Sequence, residues 1–231
     1  MIFPMRIFRD VLDRLLTAPG ETPSQALTHR GKSSPSARQA SVDSPKTQRP
    51  TTRESKPKPA TVYLLLDVSG SMDEGKLRQA RDGGLSFAED AIRKGYQVGA
   101  IQFSTWARIA SKPTTKLGGI RTGLEDRALQ LTTNMAAAIE LATGELKRLQ
   151  GLRSIVLVTD GYPDSAEAAL AAARDAKKHD ITIIAIGTDD ADRHFLKKLA
   201  SAAELATTVP SVELKVAIAS AAQHLLPARR M

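Results

Sequence analysis

The sequence predicts an α/β protein with a doubly wound, mostly parallel sheet and helices on both faces. Two observations indicate this class. Short apolar runs rich in Val, Ile and Leu alternate along the chain with segments of helical length and helical periodicity. The apolar runs are continuous, as is typical of strands that are buried on both faces. The expected strand order is 3-2-1-4-5-6, with one antiparallel edge strand.

The individual elements follow from the same patterns. Residues 61–67 (TVYLLLD) predict the first strand, and a helix follows over about residues 75–94, with Gly95 as its C-terminal cap. Two runs, 96–104 and 106–110, have a very short connection and predict a hairpin that contains the edge strand. The remaining predictions are helices near 134–149, 164–179, 192–201 and 212–226, and strands near 154–160, 181–187 and 205–209.

The N-terminal quarter of the chain differs in composition from the remainder. Residues 20–59 are rich in Ser, Thr, Pro, Lys and Arg, and Leu27 and Val42 are their only large aliphatic residues. Burying both side chains would return about 3 to 6 kcal/mol, whereas ordering about 40 residues costs roughly 1 to 2 kcal/mol each. We therefore predict an amphipathic helix at 1–19, a disordered basic linker at 20–59 and one globular domain at 60–231.

Composition and charge indicate the cellular compartment in which the protein is expected. The chain has no cysteine, which excludes disulfides and thiolate zinc sites and favours a cytoplasmic location. Charges at Arg6, Arg9 and Asp10 interrupt the first apolar stretch, so we expect neither a signal peptide nor a membrane span there.

The N-terminal tail (residues 1–60) suggests one alternative function for the protein. Of the net charge of +8, residues 1–60 contribute 11 Lys+Arg against 5 Asp+Glu. Residues 30–58 contain eight Lys+Arg against two acidic residues, which allows weak binding to an anionic surface. No aromatic residue lies among these charges, so a solvated linker is the simpler interpretation and no specific nucleic-acid binding is expected. The N-terminal helix carries an apolar face that would dock on its own domain, a partner or a membrane surface.

Polar residues follow the first and fourth strands where these strands end. The first strand continues into LLLDVSGSM (64–72), which contains Asp67, Ser69 and Ser71, and the fourth strand ends at Asp160. Open parallel sheets bind ligands beyond the carboxyl ends of their strands, where the strand order reverses. Strands 1 and 4 are neighbours there, so we expect both carboxylates to meet. A turn with side-chain hydrogen bonds to the backbone is the simpler alternative for each motif.

These residues resemble the metal ion-dependent adhesion site (MIDAS) of von Willebrand factor A (vWA) domains. The Asp-x-Ser-x-Ser motif of that family matches Asp67, Ser69 and Ser71. A threonine before an alanine-rich helix is matched by Thr133 in LTTNMAAAIELA, and a Thr-Asp-Gly motif after a hydrophobic strand supplies Asp160. The motifs occur in the order that the family has. The resemblance implies a Rossmann-like vWA fold.

One position departs from the family pattern. Relatives often carry glycines directly before the threonine, whereas Leu131 and Thr132 stand there in this chain, and a glycine pair lies earlier at Gly118 and Gly119. A cap for the following helix is the alternative role of Thr133.

The five candidate ligands present only oxygen atoms. Hydroxyls with few carboxylates suit Mg²⁺, with Mn²⁺ as a second possibility, and disfavour zinc and copper. The resemblance implies that Ser69, Ser71 and Thr133 coordinate the metal directly, and that Asp67 and Asp160 act largely through water. It also implies that an aspartate or glutamate of a partner protein completes the coordination.

The resemblance therefore implies a Mg²⁺-dependent protein–protein interaction module. Small cysteine-free members of the family resemble accessory proteins of AAA+ ATPases of the MoxR and magnesium-chelatase types. An ATPase of this kind is accordingly an expected partner.

A Mg²⁺-dependent phosphoryl-transfer enzyme is the alternative, with Asp67 as the nucleophile. The second acidic residue that such sites usually carry is replaced by Ser69. The chain also has no G-x-x-x-x-G-K phosphate loop and no G-x-S-x-G elbow. We therefore predict that the protein is not an enzyme.

The aromatic and imidazole side chains are assigned structural roles. We interpret Trp106, in the predicted hairpin, as a packing residue rather than a recognition platform. The histidines lack the spacing of metal ligands and are predicted to be solvated: His29, His179, His194 and His224.

Overall fold

The computed structural model describes residues 60–125 and 132–228, and all structural statements below concern these residues. The predicted N-terminal helix (1–19) and basic linker (20–59) lie outside the described residues, as does His29.

The centre of the fold is a six-stranded sheet with the order β3-β2-β1-β4-β5-β6. All neighbouring strands run parallel except β2 and β3, which pair antiparallel at one edge. This arrangement confirms the predicted fold class and strand order. The strands are β1 (Ala60–Asp67), β2 (Tyr96–Phe103), β3 (Ala107–Thr114), β4 (Leu152–Thr159), β5 (Thr182–Thr188) and β6 (Ala206–Val209).

Six α-helices cover the two faces of the described sheet: α1 (Glu74–Arg93), α2 (Leu117–Glu125), α3 (Met135–Leu146), α4 (Ala166–Lys178), α5 (Arg193–Leu199) and α6 (Leu214–Ser220). Side chains that accept backbone N–H groups cap the N-termini of four of them: Asp73, Asn134, Ser165 and Asp192. In the described part of the chain, no helix has both the length and the apolar character needed to cross a bilayer.

The core has two layers because successive residues of a strand point to opposite faces of the sheet. In β1, Val62, Leu64 and Leu66 pack in a cluster that includes buried residues of α1 and α6. Tyr63 and Leu65 pack on the other face, with buried residues of α3 and α4. Every residue of β1 is buried, which confirms the prediction that this strand is covered on both faces.

Helix α2 is missing from the predicted elements. Its nine residues include three glycines, which have low helix propensity, so the local sequence carries no helix signal. Packing supplies the stabilisation instead, since Ile120 and Leu124 are buried. Gly123 allows the helix to lie against β3, because a Cβ there would be 2.5 Å from the carbonyl oxygen of Ala110.

Two other predicted boundaries were wrong. Strand β3 extends beyond the predicted 106–110 and passes Pro113, which an edge strand tolerates because one side has no strand partner. The predicted helix at 212–226 is split into a 3₁₀ turn (Ser211–Glu213), α6 and a second 3₁₀ turn (Ala221–His224).

Gly83 lies where α1 meets α6. A Cβ at this position would be 2.7 Å from the carbonyl oxygen of Lys215, a backbone atom that cannot rotate away. We expect Gly83→Ala to lower the free energy of unfolding by about 1 to 3 kcal/mol, because the clash outweighs the better helix propensity of alanine. The measurement is urea unfolding.

Gly144→Ala is the matched control, because Gly144 lies inside α3 and an added Cβ would meet nothing within 4 Å. This variant should gain up to about 1 kcal/mol from helix propensity. Equal shifts in the two variants would contradict the close contact at Gly83.

Candidate metal-binding site

The carboxyl ends of β1 and β4 bring two carboxylates together. The strands are neighbours, with Leu66 opposite Val158, so the residues that follow lie side by side. Asp67 ends β1 and is 0% exposed, and Asp160 directly follows β4 and is 1% exposed. The two acidic side chains therefore meet at the point in the sheet where the sequence places them.

Four of the five predicted ligands form one chain of hydrogen bonds. The backbone N–H of Ser69 donates to Oδ1 of Asp67 at 2.9 Å. The hydroxyl oxygens of Ser69 and Ser71 are 3.1 Å apart. The Ser71 hydroxyl donates to Oδ1 of Asp160 at 2.8 Å. The turn alternative for these motifs does not account for the last bond, since it joins the loops that follow two different strands.

Thr133 is held at the same end of the sheet by the loop that follows Asp160. Its backbone N–H donates to Oδ1 of Asp164 at 2.8 Å, and its carbonyl accepts the Asp164 N–H at 3.0 Å. Asn134, and not Thr133, caps α3 by accepting the N–H of Ala137, so the alternative capping role was assigned to the wrong residue. The structure ties Thr133 to the loop that carries Asp160 but gives its hydroxyl no hydrogen bond to any of the other four predicted ligands.

Thr159 belongs to the site, although the Thr-Asp-Gly motif was used in the sequence to predict Asp160 alone. Its buried hydroxyl donates to Oδ2 of Asp67 at 2.7 Å, so both oxygens of this carboxylate accept a hydrogen bond. Its place directly before Asp160 was the available signal in the sequence.

The pKa of the Asp67 carboxyl reflects its burial. Burial, with a smaller effect from the charge of Asp160, raises this pKa, and the hydrogen bonds from Ser69 and Thr159 oppose the increase; the resulting pKa is about 6. The two buried carboxylates, Asp67 and Asp160, therefore form a site that attracts a cation.

A lysine ammonium brings a positive charge to this candidate site. Nζ of Lys76, in the first turn of α1, lies 2.8 Å from Oδ2 of Asp160 and 3.1 Å from Oδ2 of Asp190. Burial by itself lowers the pKa of Lys76, but the hydrogen bonds and charges of Asp160 and Asp190 outweigh it, so the net pKa is raised. Neither residue was predicted. The available signals were a lysine one turn beyond the Asp-x-Ser-x-Ser loop and an aspartate just after β5.

Two exposed aromatic residues lie on loops at this end of the sheet. Trp106, between β2 and β3, is 60% exposed, and Tyr162, two residues after Asp160, is 66% exposed. The packing role predicted for Trp106 is therefore wrong. The residue sits in a tight turn closed by the Ser104 N–H and the Trp106 carbonyl, at 3.0 Å, which leaves the indole in solvent.

The histidines take no part in the site. His194 and His224 are exposed, as predicted, and His179 is partly exposed.

The donor set fits a hard divalent cation. Carboxylate and hydroxyl oxygens are the ligands that Mg²⁺ accepts in proteins. Within residues 60–125 and 132–228, no three His, Cys, Asp or Glu side chains are grouped so that they could hold a metal. A cation here must therefore depend on the serine hydroxyls together with the two carboxylates, whose combined charge matches that of a divalent ion.

A family model matches most of this chain. The von Willebrand factor type A domain model covers residues 61–220, a range that contains every residue of the candidate site. No curated protein sequence matches the chain.

Solved structures share the fold at low sequence identity. Proximal thread matrix protein 1 (PTMP1) from the mussel byssus, with a zinc-occupied MIDAS motif, has a TM-score of 0.61 and 19% identity over 71% of this chain and 47% of its own. The vWF domain of the pili tip protein Mfa5 from Porphyromonas gingivalis has a TM-score of 0.65 and 14% identity, over 74% of this chain and 96% of its own.

The pilus adhesin SpaC from Lactobacillus rhamnosus GG has a TM-score of 0.63 and 16% identity, over 72% of this chain and 30% of its own. The chain thus spans about half the length of PTMP1 and less of SpaC. These likenesses show the fold, and the family model covers well over half of the sequence. The chain therefore belongs to the von Willebrand factor type A domain family.

Proposed function

We propose that this protein is a Mg²⁺-dependent protein–protein interaction module. The observation that carries the proposal is the convergence of Asp67, Ser69, Ser71 and Asp160 at the ends of two central strands. The vWA fold supports an interaction or adhesion role in general, and its solved relatives include a pilus adhesin and a pilus tip protein. The metal and the partner are the specific parts of the proposal.

The residues of the site would contact a cation in two ways, directly or through water. Ser69, Ser71 and Thr133 would coordinate it directly, while Asp67 and Asp160 would act through water. When bound, the cation would supply an electrophilic centre that accepts a carboxylate oxygen from a partner protein. Asp67 fixes the backbone of Ser69, and Asp160 orients the hydroxyl of Ser71.

The choice of Mg²⁺ rests on the hard oxygen donors, with Mn²⁺ as the nearest alternative. Zinc belongs in the same comparison, because the MIDAS of PTMP1 is described with zinc bound. Binding of the three ions to the purified protein by calorimetry would rank them.

The proposed partner is a protein that presents an aspartate or glutamate. Exposed Trp106 and Tyr162 lie on loops at the same end of the sheet and offer apolar contact area beside that carboxylate. An AAA+ ATPase of the MoxR or magnesium-chelatase type, in the cytoplasm, is the first candidate on the basis of the family resemblance.

The test is a pull-down from host lysate with the 231-residue chain, in about 5 mM Mg²⁺ or in EDTA, followed by mass spectrometry. We expect a protein that is retained in Mg²⁺ and lost in EDTA. Equal retention in EDTA would contradict a metal-bridged contact. A variant of the whole chain, with the basic residues of 30–58 replaced by glutamine, would then show whether the N-terminal tail binds the retained protein in place of the metal site.

The enzymatic alternative has less structural support. A nucleophilic carboxylate must be reached by a phosphoryl group, whereas Asp67 is fully buried and both of its oxygens accept hydrogen bonds. Phosphatase activity that disappears in Asp67→Asn would restore this alternative.

A further inference from the structure

The side chain of Lys76 occupies the position of a cation beside Asp160. Its ammonium lies 2.8 Å from Oδ2 of Asp160, whose side chain is 0% exposed, and 3.4 Å from the carbonyl oxygen of Ser71. Oδ1 of the same carboxylate accepts the Ser71 hydroxyl. Both oxygens of Asp160 are thus engaged by groups of the chain itself.

The second contact of Lys76 is of a different kind. Asp190, just beyond β5, lies 3.1 Å from the ammonium and its side chain is 66% exposed. This carboxylate is solvated and remains accessible when the ammonium leaves Asp160. Lys76 is therefore shared between one buried acceptor within the metal site and one exposed acceptor outside it.

The position of Lys76 in its helix is unfavourable without these acceptors. Lys76 is the third residue of α1, where the helix dipole disfavours a positive charge. Its side chain is nevertheless only 16% exposed and points at carboxylates rather than into solvent. The attraction of Asp160 and Asp190 is thus what holds the ammonium at the site.

We propose that Lys76 is a built-in competitor of the divalent cation, and that Asp190 receives its ammonium when the metal binds. This inference rests on the proposed function of the site. An ammonium that pairs with Asp160 repels a divalent cation held at the same carboxylate, so the lysine opposes metal binding and metal binding favours the release of Lys76 from Asp160. The lysine therefore raises the Mg²⁺ concentration that is needed to fill the site. Partner binding, which depends on the metal, then also requires this higher Mg²⁺ concentration.

The test compares the wild-type 231-residue chain with its Lys76→Met variant, which keeps an apolar side chain and removes the charge. Titration calorimetry with MgCl₂ should give a Kd about tenfold lower for the variant. In EDTA the variant should melt at a lower temperature than the wild type, because Asp160 loses its ion pair. The increase in Tm on adding MgCl₂ should be larger in the variant.

Arg78→Met is the matched control, because it removes one positive charge from an exposed position of the same helix. It should change the Kd by less than about twofold. Equal tightening in both variants would mean that net charge alone acts, and would overturn the role of Lys76.

Asp190→Asn is a second test that does not depend on the folding of Lys76→Met. Without the exposed acceptor, the ammonium stays on Asp160, and Mg²⁺ binding should weaken about threefold more than in Asp189→Asn, the neighbouring exposed aspartate. Equal effects of the two substitutions would overturn the proposed transfer.

The failure of this inference and the failure of the proposed function give different results. If the wild type and Lys76→Met bind Mg²⁺ with the same Kd, the competition is refuted and the interaction module stands. If neither the wild type nor Lys76→Met binds Mg²⁺, the proposed function is refuted, and the proposed competition by Lys76 is refuted as well.

Discussion

Asp67→Asn is expected to weaken Mg²⁺ binding by roughly 100-fold while the fold is retained. The amide has nearly the shape of the carboxyl group. Its oxygen can accept the Ser69 N–H, and its NH₂ group can donate to the hydroxyl oxygen of Thr159, so both hydrogen bonds of Asp67 have a replacement. The charge is what disappears, and a cation at the site then faces one carboxylate instead of two.

The stability of this variant should depend on the metal. Burial raises the pKa of Asp67 from 3.8 to about 6, so the folded protein binds this proton more tightly than the unfolded chain does. Ionising the buried carboxyl without a metal therefore costs stability, a loss that sets in as the pH rises from 3.8 to about 6 and persists at neutral pH. Asparagine avoids this cost.

Thermal unfolding at pH 7 with EDTA or MgCl₂ measures both effects. In EDTA, Asp67→Asn should melt at the same temperature as the wild type or above it. In MgCl₂ the wild type should melt at the higher temperature, because it binds the cation more tightly and gains more stability from it. Asp82→Asn, on the exposed surface of α1, should follow the wild type in both buffers. A variant that melts well below the wild type in EDTA would show that Asp67 serves the fold rather than a metal.

The double substitution Ser69→Ala with Ser71→Ala is expected to abolish both Mg²⁺ binding and retention of the partner. It removes two of the proposed hydroxyl ligands and leaves the carboxylates in place. Lys76 continues to pair with Asp160, so no buried charge is left without a partner. We expect a stability loss of only about 1 kcal/mol for each hydroxyl, and an unchanged circular dichroism spectrum.

Calorimetry with MgCl₂ and the pull-down in Mg²⁺ check this prediction. Ser111→Ala with Ser220→Ala is the control, since these serines lie on β3 and at the end of α6, and each bonds only a nearby backbone carbonyl. The control should bind like the wild type. A folded Ser69/Ser71 variant that retained its partner at the wild-type level would rule out contact through the metal.

The features that the sequence could predict are those that depend on chain order and local pattern. The buried runs at β1 and β4 and the succession of strands place Asp67 and Asp160 together without knowledge of any side-chain position. The Asp-x-Ser-x-Ser loop is similarly readable, because its first bond spans only two residues.

The remaining features depend on packing between distant segments. Lys76 and Asp190 are separated by 114 positions, and their contact requires the first turn of α1 to lie over the end of β5. Helix α2 depends on the burial of Ile120 and Leu124 and on the close approach of Gly123 to β3, which local propensity does not encode. Thr133 lies between these cases, since its motif was readable but its attachment to Asp164 was not.

The paired hydrogen bonds between Thr133 and Asp164 have a thermodynamic consequence. They join the loop that carries Thr133 to the loop that carries Asp160 and the exposed Tyr162, so the two loops cannot shift independently. A partner that rests on Tyr162 therefore restrains Thr133 as well. If the protein binds a metal and a partner as proposed, each would increase the affinity for the other by the same factor, as reciprocal linkage requires.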